Sequence, residues 1–380
     1  MGQEHRHRKD EAQSLSSPQK AIGTNSARGV PIVFRNVTKR FGSFTALDGF
    51  SMAIEEGEFL TILGESGSGK STILNALAGF IPIDDGEISI NGKAVHTLPP
   101  EQRGVGMVFQ NYSLFPHMDV ADNVAFPLRM RGVPKQEARK RGEEALGIVR
   151  LSGLGHRFPR ELSGGQQQRV AVARAISFHP RVLLMDEPLG ALDLKLREAL
   201  QFEIKQIQRS LGCTVVYVTH DQREAMAMSD RIMVLRSGRI EQLGSSADLY
   251  DRPRTKFVAD FIGQTNIVPA VRSGRQVVLD HLGLTITPPA IPEGVAPLFL
   301  NLRPEKLMAK RADGQEVEFP AQVQETVFLG DMISVSAVTP SGISIYFRQP
   351  RQAGFSLNPG DAIWLSFDPS DAVLVVDGSP

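Results

Sequence analysis

The 380-residue chain has a single cysteine, Cys213. One thiol forms no internal disulfide and supports no cysteine-based metal cluster, and this usage fits a reducing compartment. Flanked by Gly212 and Thr214-Val215-Val216, Cys213 reads as the start of a buried strand. Long apolar runs are lacking too: no stretch approaches the roughly 18 to 20 apolar residues that a spanning helix needs. The chain is therefore not expected to cross a membrane by itself. Charge of one sign is also missing. Lys plus Arg and Asp plus Glu both number 42, for a net charge of +0, so no global field is available to hold nucleic acid. A hydrophobic content of 41% and a charged content of 22% are ordinary for globular proteins and argue against a largely disordered chain. This length suits two domains, each burying its own core.

Residues 1–29 are rich in Gln, Ser, His, Arg and Lys and have no apolar segment of the secretory type, so they read as a disordered polar tail. Periodic text begins near Pro31. Strands are expected at Ile32 to Val37 and Ser51 to Ile54, then at Phe59 to Leu63, which runs into a glycine-rich loop and a helix over Ser71 to Ala78. A short strand within Gly86 to Gly92 follows. The compact apolar runs Val182 to Met185 and Thr214 to Val218 suit buried strands of an α/β sheet. Val120 to Arg150 reads as a helical subdomain. Lys195 to Leu211 carries Leu196, Leu200, Ile204, Ile207 and Leu211 at helical spacing, a core stripe. After Asn266 the pattern changes to period two, as in Ile333-Ser334-Val335-Ser336-Ala337, punctuated by prolines. The expected organisation is thus an α/β domain over 30–265 followed by a small all-β domain of the barrel type over 266–380.

Gly64-Glu65-Ser66-Gly67-Ser68-Gly69-Lys70-Ser71 satisfies G-x-x-x-x-G-K-S in full. Its glycines let backbone N–H groups approach phosphate oxygens, Lys70 neutralises β- and γ-phosphate charge, and the Ser71 hydroxyl suits Mg²⁺. Asp186 and Glu187 leave the carboxyl end of an apolar strand, where α/β sheets place ligands. Asp186 is placed for the metal and Glu187 for the attacking water. His220 ends another strand and is a candidate hydrogen-bond donor to the γ-phosphate. Gln110, after Met107-Val108-Phe109, heads a loop from which it reaches metal or water. Leu162-Ser163-Gly164-Gly165-Gln166 is a poor helix interior but a good anion-binding helix entrance, because exposed N–H groups and the Ser163 hydroxyl stand before the helix dipole.

Taken together, these segments resemble the ATP-binding subunit of ABC transporters over about Ile32 to Gly263. The resemblance makes Gly64 to Ser71, with Thr72 following, the Walker A loop. It makes Gln110 the Q-loop glutamine, Leu162 to Gln166 the signature, Val182 to Glu187 the Walker B strand and His220 the switch histidine. Phe41 matches the aromatic that stacks on adenine. Gly190-Ala191-Leu192-Asp193 matches the D-loop, although many members carry serine where this chain has Gly190.

The implied cofactors are ATP and Mg²⁺, with Ser71, Gln110 and Asp186 around the metal. In the implied homodimer each ATP lies between one subunit's Walker A loop and the other's Ser163, Gly164, Gly165 and Gln166, with Asp193 nearby. The implied partners are two membrane permease subunits and an external solute-binding protein, with no nucleic acid. The implied location is peripheral, on the cytoplasmic face of the inner membrane.

The β tail, with Leu302-Arg303-Pro304-Glu305 and Phe328-Leu329-Gly330-Asp331, resembles the OB/TOBE-like domain of importer ATPases. It reads either as a dimer-strengthening module or as a small-ligand sensor. The run Leu249 to Gly263 is most similar to the spermidine/putrescine branch. Ferric iron, sulfate and sugar importers are the alternatives, followed by a non-transport ABC ATPase.

Overall fold

The computed structural model describes residues 29–190, 193–293, 297–310, 317–351 and 357–378. The expected polar tail, up to residue 28, lies outside the described residues, as do Ala191 and Leu192. In chain order the first part comprises β1 (Ile32–Phe41), β2 (Phe44–Ile54), β3 (Phe59–Gly64), α1 (Lys70–Ala78), β4 (Asp85–Ile90), β5 (Lys93–Ala94) and β6 (Val105–Val108). Then come α2 (Val120–Met130), α3 (Lys135–Ile148), α4 (Gly164–Ile176), β7 (Val182–Asp186), α5 (Leu194–Leu211), β8 (Thr214–Thr219) and α6 (Gln222–Met228). The elements β9 (Arg231–Arg236), β10 (Arg239–Gly244), α7 (Ser246–Asp251) and α8 (Lys256–Phe261) complete it.

β1 and β2 run beyond the strands expected at 32–37 and 51–54 because they pair as one hairpin, with Phe41 opposite Phe44. Register shifts between Phe34 and Val37, and again around Lys39, break the alternation that would have marked the extension. With β4 and β5 the hairpin forms an antiparallel sheet in the order β2-β1-β4-β5. The larger sheet has the order β10-β9-β3-β8-β7-β6, parallel except for the β10-β9 pair.

The phosphate-loop strand β3 lies at its centre, between β9 and β8. Both faces of this sheet are covered. Phe59, Leu183, Met185, Val215 and Tyr217 enter a core shared with α2 to α5, while Leu60, Ile62, Leu184, Val216 and Val218 enter a core shared with α1 and the antiparallel sheet. Double burial explains why these strands read as continuous apolar runs. Leu200, Ile204 and Ile207 of α5 are buried as its stripe predicted, with Leu196 and Leu211 partly so. Cys213 is fully buried at the entrance to β8.

The second part holds β11 (Asn266–Ser273), β12 (Gln276–Leu279), β13 (Leu284–Ile286), β14 (Leu298–Leu302), β15 (Met308–Lys310), β16 (Val317–Phe328), β17 (Met332–Val338), β18 (Ser344–Pro350), β19 (Ala362–Phe367) and β20 (Val373–Val376). Its strands form two antiparallel sheets, β13-β12-β11-β14-β20 and β15-β19-β16-β17-β18, around one apolar core. In β17 the expected alternation is kept, with Ile333, Val335 and Ala337 buried. A junction locks the β domain to the rest. The buried Arg303 guanidinium donates to the carbonyls of Tyr250, Ala259 and Gln264, and Thr255 bridges to Val376.

Candidate functional site

β3 carries the chain to Gly64, which packs so closely on β9 that a Cβ there would lie 2.4 Å from the Leu235 carbonyl oxygen. The loop then enters α1 through Gly69, at φ 107°, a conformation L side chains rarely adopt. Gly69 offers no side chain to cap α1, so the first amides of the helix stay open to the loop. Lys70 folds back across it and donates to the carbonyls of Gly64 (3.0 Å) and Glu65 (2.8 Å). Burial lowers its pKa, while the charges of Glu187 and Asp186 pull it back up. An anion in the loop would satisfy this largely buried ammonium. At the other end of α1 the buried Arg103 guanidinium donates to the carbonyls of Ala76 (2.6 Å) and Leu77 (3.0 Å), fixing the helix from behind.

β7 delivers Asp186 beside Ser71, Oδ1 to Oγ 3.5 Å. Burial raises the Asp186 pKa, and the neighbouring Glu187 charge raises it further. Glu187 sits at φ 42°, unusual for a residue with a Cβ, and its N–H donates to Val218 (2.9 Å). That turn aims one carboxylate oxygen at two partners. Oε2 accepts from Gln110 Nε2 (3.3 Å) and lies 3.2 Å from His220 Nδ1.

The residues flanking His220 are anchored on both sides. Asp221 caps α6 and pairs with Arg197 of α5 at 2.9 Å, while the hydroxyls of Tyr217 (2.7 Å) and Thr219 (2.8 Å) donate to the buried Glu224. Burial drives the Glu224 and Tyr217 pKa values upward; the Glu224 charge raises Tyr217 further, whereas the hydroxyl bonds from Tyr217 and Thr219 pull Glu224 back down.

A cleft of about 610 Å³ opens over the phosphate loop. It is lined by Ser66, Gly67, Gly69, Lys70, Ser71 and Thr72, by Glu187 and His220, and at its mouth by Phe41, Phe44 and Ala46. The loop, Phe41, Glu187 and His220 are thus brought together, with Asp186 and Gln110 bonded to them. The signature residues lie elsewhere. Ser163 caps α4 in a reciprocal pair with Gln166 (3.0 and 3.4 Å), Ser163 and Gly164 are exposed, and Gly165 packs on Leu196. Asp193 caps α5 by accepting from Leu196 N–H (3.0 Å). None of these five residues lines the cleft of its own chain.

Comparison with known proteins places both parts of the chain in known families. Residues 47–190 match the ABC transporter family model and residues 300–375 match the TOBE domain model. The chain is 46% identical over 358 residues to the spermidine/putrescine import ATP-binding protein PotA of Rubrobacter xylanophilus, covering 92% of this chain and 94% of that one. This chain belongs to the ABC importer ATP-binding proteins. Another member of the ABC family, the Fe(3+) ions import ATP-binding protein FbpC of Brucella abortus, is 48% identical over 315 residues, covering 82% and 88% of the two chains. Among solved structures, a dimeric ATP-binding cassette in a post-hydrolysis state bound to ADP and Pi superposes with a TM-score of 0.51 at 36% identity, covering 56% of this chain and 98% of that one. The ABC fold expected for the first domain and the TOBE-type β domain expected after it are both present.

Several residues at the cleft mouth or behind the cleft carry no signal in the sequence. Phe44 stands opposite Phe41 at the cleft mouth, and both are about half exposed, at 59% and 49%. A strand drawn back to residue 44 would have exposed the pairing. Arg103, Arg197 and Glu224 had no motif to mark them, because they act on backbone carbonyls or on one another across the fold.

Proposed function

We propose that this chain binds ATP in the cleft and hydrolyses it to drive polyamine import. The observation that carries the reading is the convergence of Gln110 and His220 on one oxygen of Glu187 beside an open phosphate loop. In this reading Phe41 and Phe44 flank the adenine. The loop amides and Lys70 hold the β- and γ-phosphates. Glu187 takes a proton from the attacking water as its oxygen bonds to the γ-phosphorus, and the bond to the β-phosphate oxygen breaks to release ADP and phosphate. Gln110 orients the water, and His220 donates to the γ-phosphate oxygens as charge builds there.

The Ser71 hydroxyl, the Asp186 carboxylate and the Gln110 amide oxygen form a hard, all-oxygen donor set. Among the described residues no cluster of three acidic, His or Cys side chains forms a protein-only cage. That composition suits Mg²⁺, which binds few protein ligands and completes its shell with phosphates and water. When bound, Mg²⁺ supplies charge neutralisation at the β- and γ-phosphates.

Ser163, Gly164, Gly165 and Gln166 serve the partner subunit's nucleotide in this reading, so ATP closes a homodimer and hydrolysis releases it. Two permease subunits and an external solute-binding protein complete the importer, with this chain peripheral on the cytoplasmic face of the inner membrane. The domains are assigned as 30–265 and 266–380. The likeness to spermidine/putrescine proteins over nearly the whole chain supports the polyamine branch, and the FbpC likeness makes ferric iron the second reading.

The test is ATP turnover of the chain reconstituted with its permease partners, with the binding protein loaded in turn with spermidine, putrescine, ferric iron or sulfate. Stimulation by polyamines alone supports the reading. Stimulation by another solute transfers the mechanism to that solute, and turnover indifferent to all four removes the import role.

A further inference from the structure

The loop after Gln110 contains two consecutive non-glycine residues in the left-handed region, Tyr112 at φ 58° and Ser113 at φ 48°. Such backbone is disfavoured for residues with a Cβ and persists where the surroundings hold it. Here Arg174 does the holding. From the last turn of α4 its guanidinium donates 2.7 Å bonds to the carbonyls of both Tyr112 and Ser113, and its central carbon lies 5.6 Å from the Phe115 ring centre. Next along the loop, the fully buried Asn123 of α2 accepts from Phe115 N–H (2.8 Å) and donates to the carbonyls of Phe115 and Met118. The tail of the loop is thus fastened to α2 and α4, while its head, Gln110, touches Glu187.

Arg174 is 7% exposed, and its hydrogen-bond partners are loop carbonyls, not a carboxylate. Burial of the cation depresses its pKa. An apolar side chain of similar length would fill the same space without that desolvation cost, so the packing of α4 does not account for an arginine. What the guanidinium supplies is a rigid fork that spans two adjacent carbonyls.

We propose that Arg174 is a positioning residue for hydrolysis: by holding the Tyr112-Ser113 turn in its left-handed conformation, it sets Gln110 against Glu187. α4 also begins at Ser163, so the staple ties the position of the signature helix to the group beside the attacking water. The inference rests on the hydrolytic role proposed for Gln110.

The test uses the full-length chain. Arg174→Met is expected to lower kcat for ATP at least about tenfold, with KM and the affinity for a non-hydrolysable ATP analogue within about twofold, a split typical of lost alignment. Amide hydrogen exchange over residues 111–118 should rise about tenfold or more, with the phosphate loop unchanged. Arg174→Lys should recover little, because one ammonium does not reproduce the fork. Adding Ser113→Gly, which removes the Cβ penalty from the turn, should restore kcat about threefold in the Met background. Ser113→Val leaves α4 intact and strains the turn directly, so it should reproduce the kcat loss.

Unchanged kcat and exchange in Arg174→Met, or unchanged kcat in Ser113→Val, would overturn the proposal. So would equal losses of kcat and nucleotide affinity with no recovery by Ser113→Gly, which would assign Arg174 to the folding of α4. If Gln110→Ala turns over normally, the hydrolytic assignment fails, and with it the catalytic part of the inference. The exchange measurements then judge the staple by itself.

Discussion

Replacing Glu187 by glutamine removes a proton acceptor and keeps its shape. The carboxylate is 19% exposed, and Oε2 is shared between Gln110 Nε2 at 3.3 Å and His220 Nδ1 at 3.2 Å. The carbonyl oxygen of a glutamine can face the same two groups, so their arrangement is expected to survive. What disappears is the base for the attacking water. Loss of a positioned general base costs about 10²- to 10⁴-fold in rate, or roughly 3 to 5.5 kcal/mol at about 1.36 kcal/mol per tenfold. Nucleotide affinity should move little, because the loop amides and the Lys70 bonds to the Gly64 and Glu65 carbonyls do not involve Glu187. The one effect on binding is electrostatic. Removing a negative charge near Lys70 favours a polyphosphate slightly, by no more than about tenfold. The assays are steady-state phosphate release at saturating ATP, fluorescent-nucleotide binding, and size-exclusion chromatography with ATP and Mg²⁺, where a long-lived dimer should accumulate. Turnover within about threefold of the parent would refute the assignment of Glu187 as base, and lost ATP binding would make Glu187 a structural residue of the cleft.

Three further outcomes are expected. Ser163→Arg should leave single-chain ATP binding within about twofold, since Ser163 lies outside its own cleft, yet abolish ATP-dependent dimerisation in sedimentation velocity; a parent-like dimer would refute the cross-subunit role. Burial and Glu187 raise the Asp186 pKa, so folding favours its protonated form, and its contribution is most favourable at low pH and lost as pH rises through the carboxylate range. Asp186→Asn should therefore raise the thermal midpoint of the nucleotide-free chain at pH 7, with the gain vanishing toward pH 3, while Mg²⁺-dependent turnover is lost; no gain at pH 7 would refute the sign. Burial pushes the Cys213 thiol up to about 11, so iodoacetamide at pH 8 should alkylate it only after denaturation, and rapid labelling of the native chain would contradict its place at the buried start of β8.

The parts of the fold legible in the sequence are those where one local rule acts alone. β3, β7 and β8 are buried on both faces, so each is a nearly continuous apolar run ending in a chemically distinctive residue: Gly64, Asp186 before Glu187, and Thr219 before His220. α5 is long enough, at 18 residues, for its stripe to repeat. α6, α7 and α8 have only seven, six and six residues, too few turns for a period to show. The outer halves of β1 and β2 were hidden by bulges, and Phe44 with them. Arg103, Asn123 and Arg174 were invisible for a different reason. Their partners are main-chain carbonyls and N–H groups, which carry no residue-specific signature.

The same division explains why the site looks incomplete in one chain. Small-molecule sites bury most of their ligand, yet here both aromatics at the mouth are about half exposed and the His220 side chain is 64% exposed. The cleft has a floor of phosphate loop and acids but little roof. Elsewhere on the same chain, α4 presents exposed Ser163 and Gly164 at a helix entrance. Among the described residues, the Ser163 hydroxyl is engaged there by a 3.4 Å contact from Gln166 N–H, near the limit of a hydrogen bond. Exchanging that contact for a phosphate oxygen costs little and adds the favourable field of the helix N-terminus. In the proposed homodimer, a two-fold axis that sets the floor of one subunit against the roof of the other gives an isologous interface with two complete sites, and ATP would act as the shared ligand whose terminal phosphate decides whether the two halves stay together.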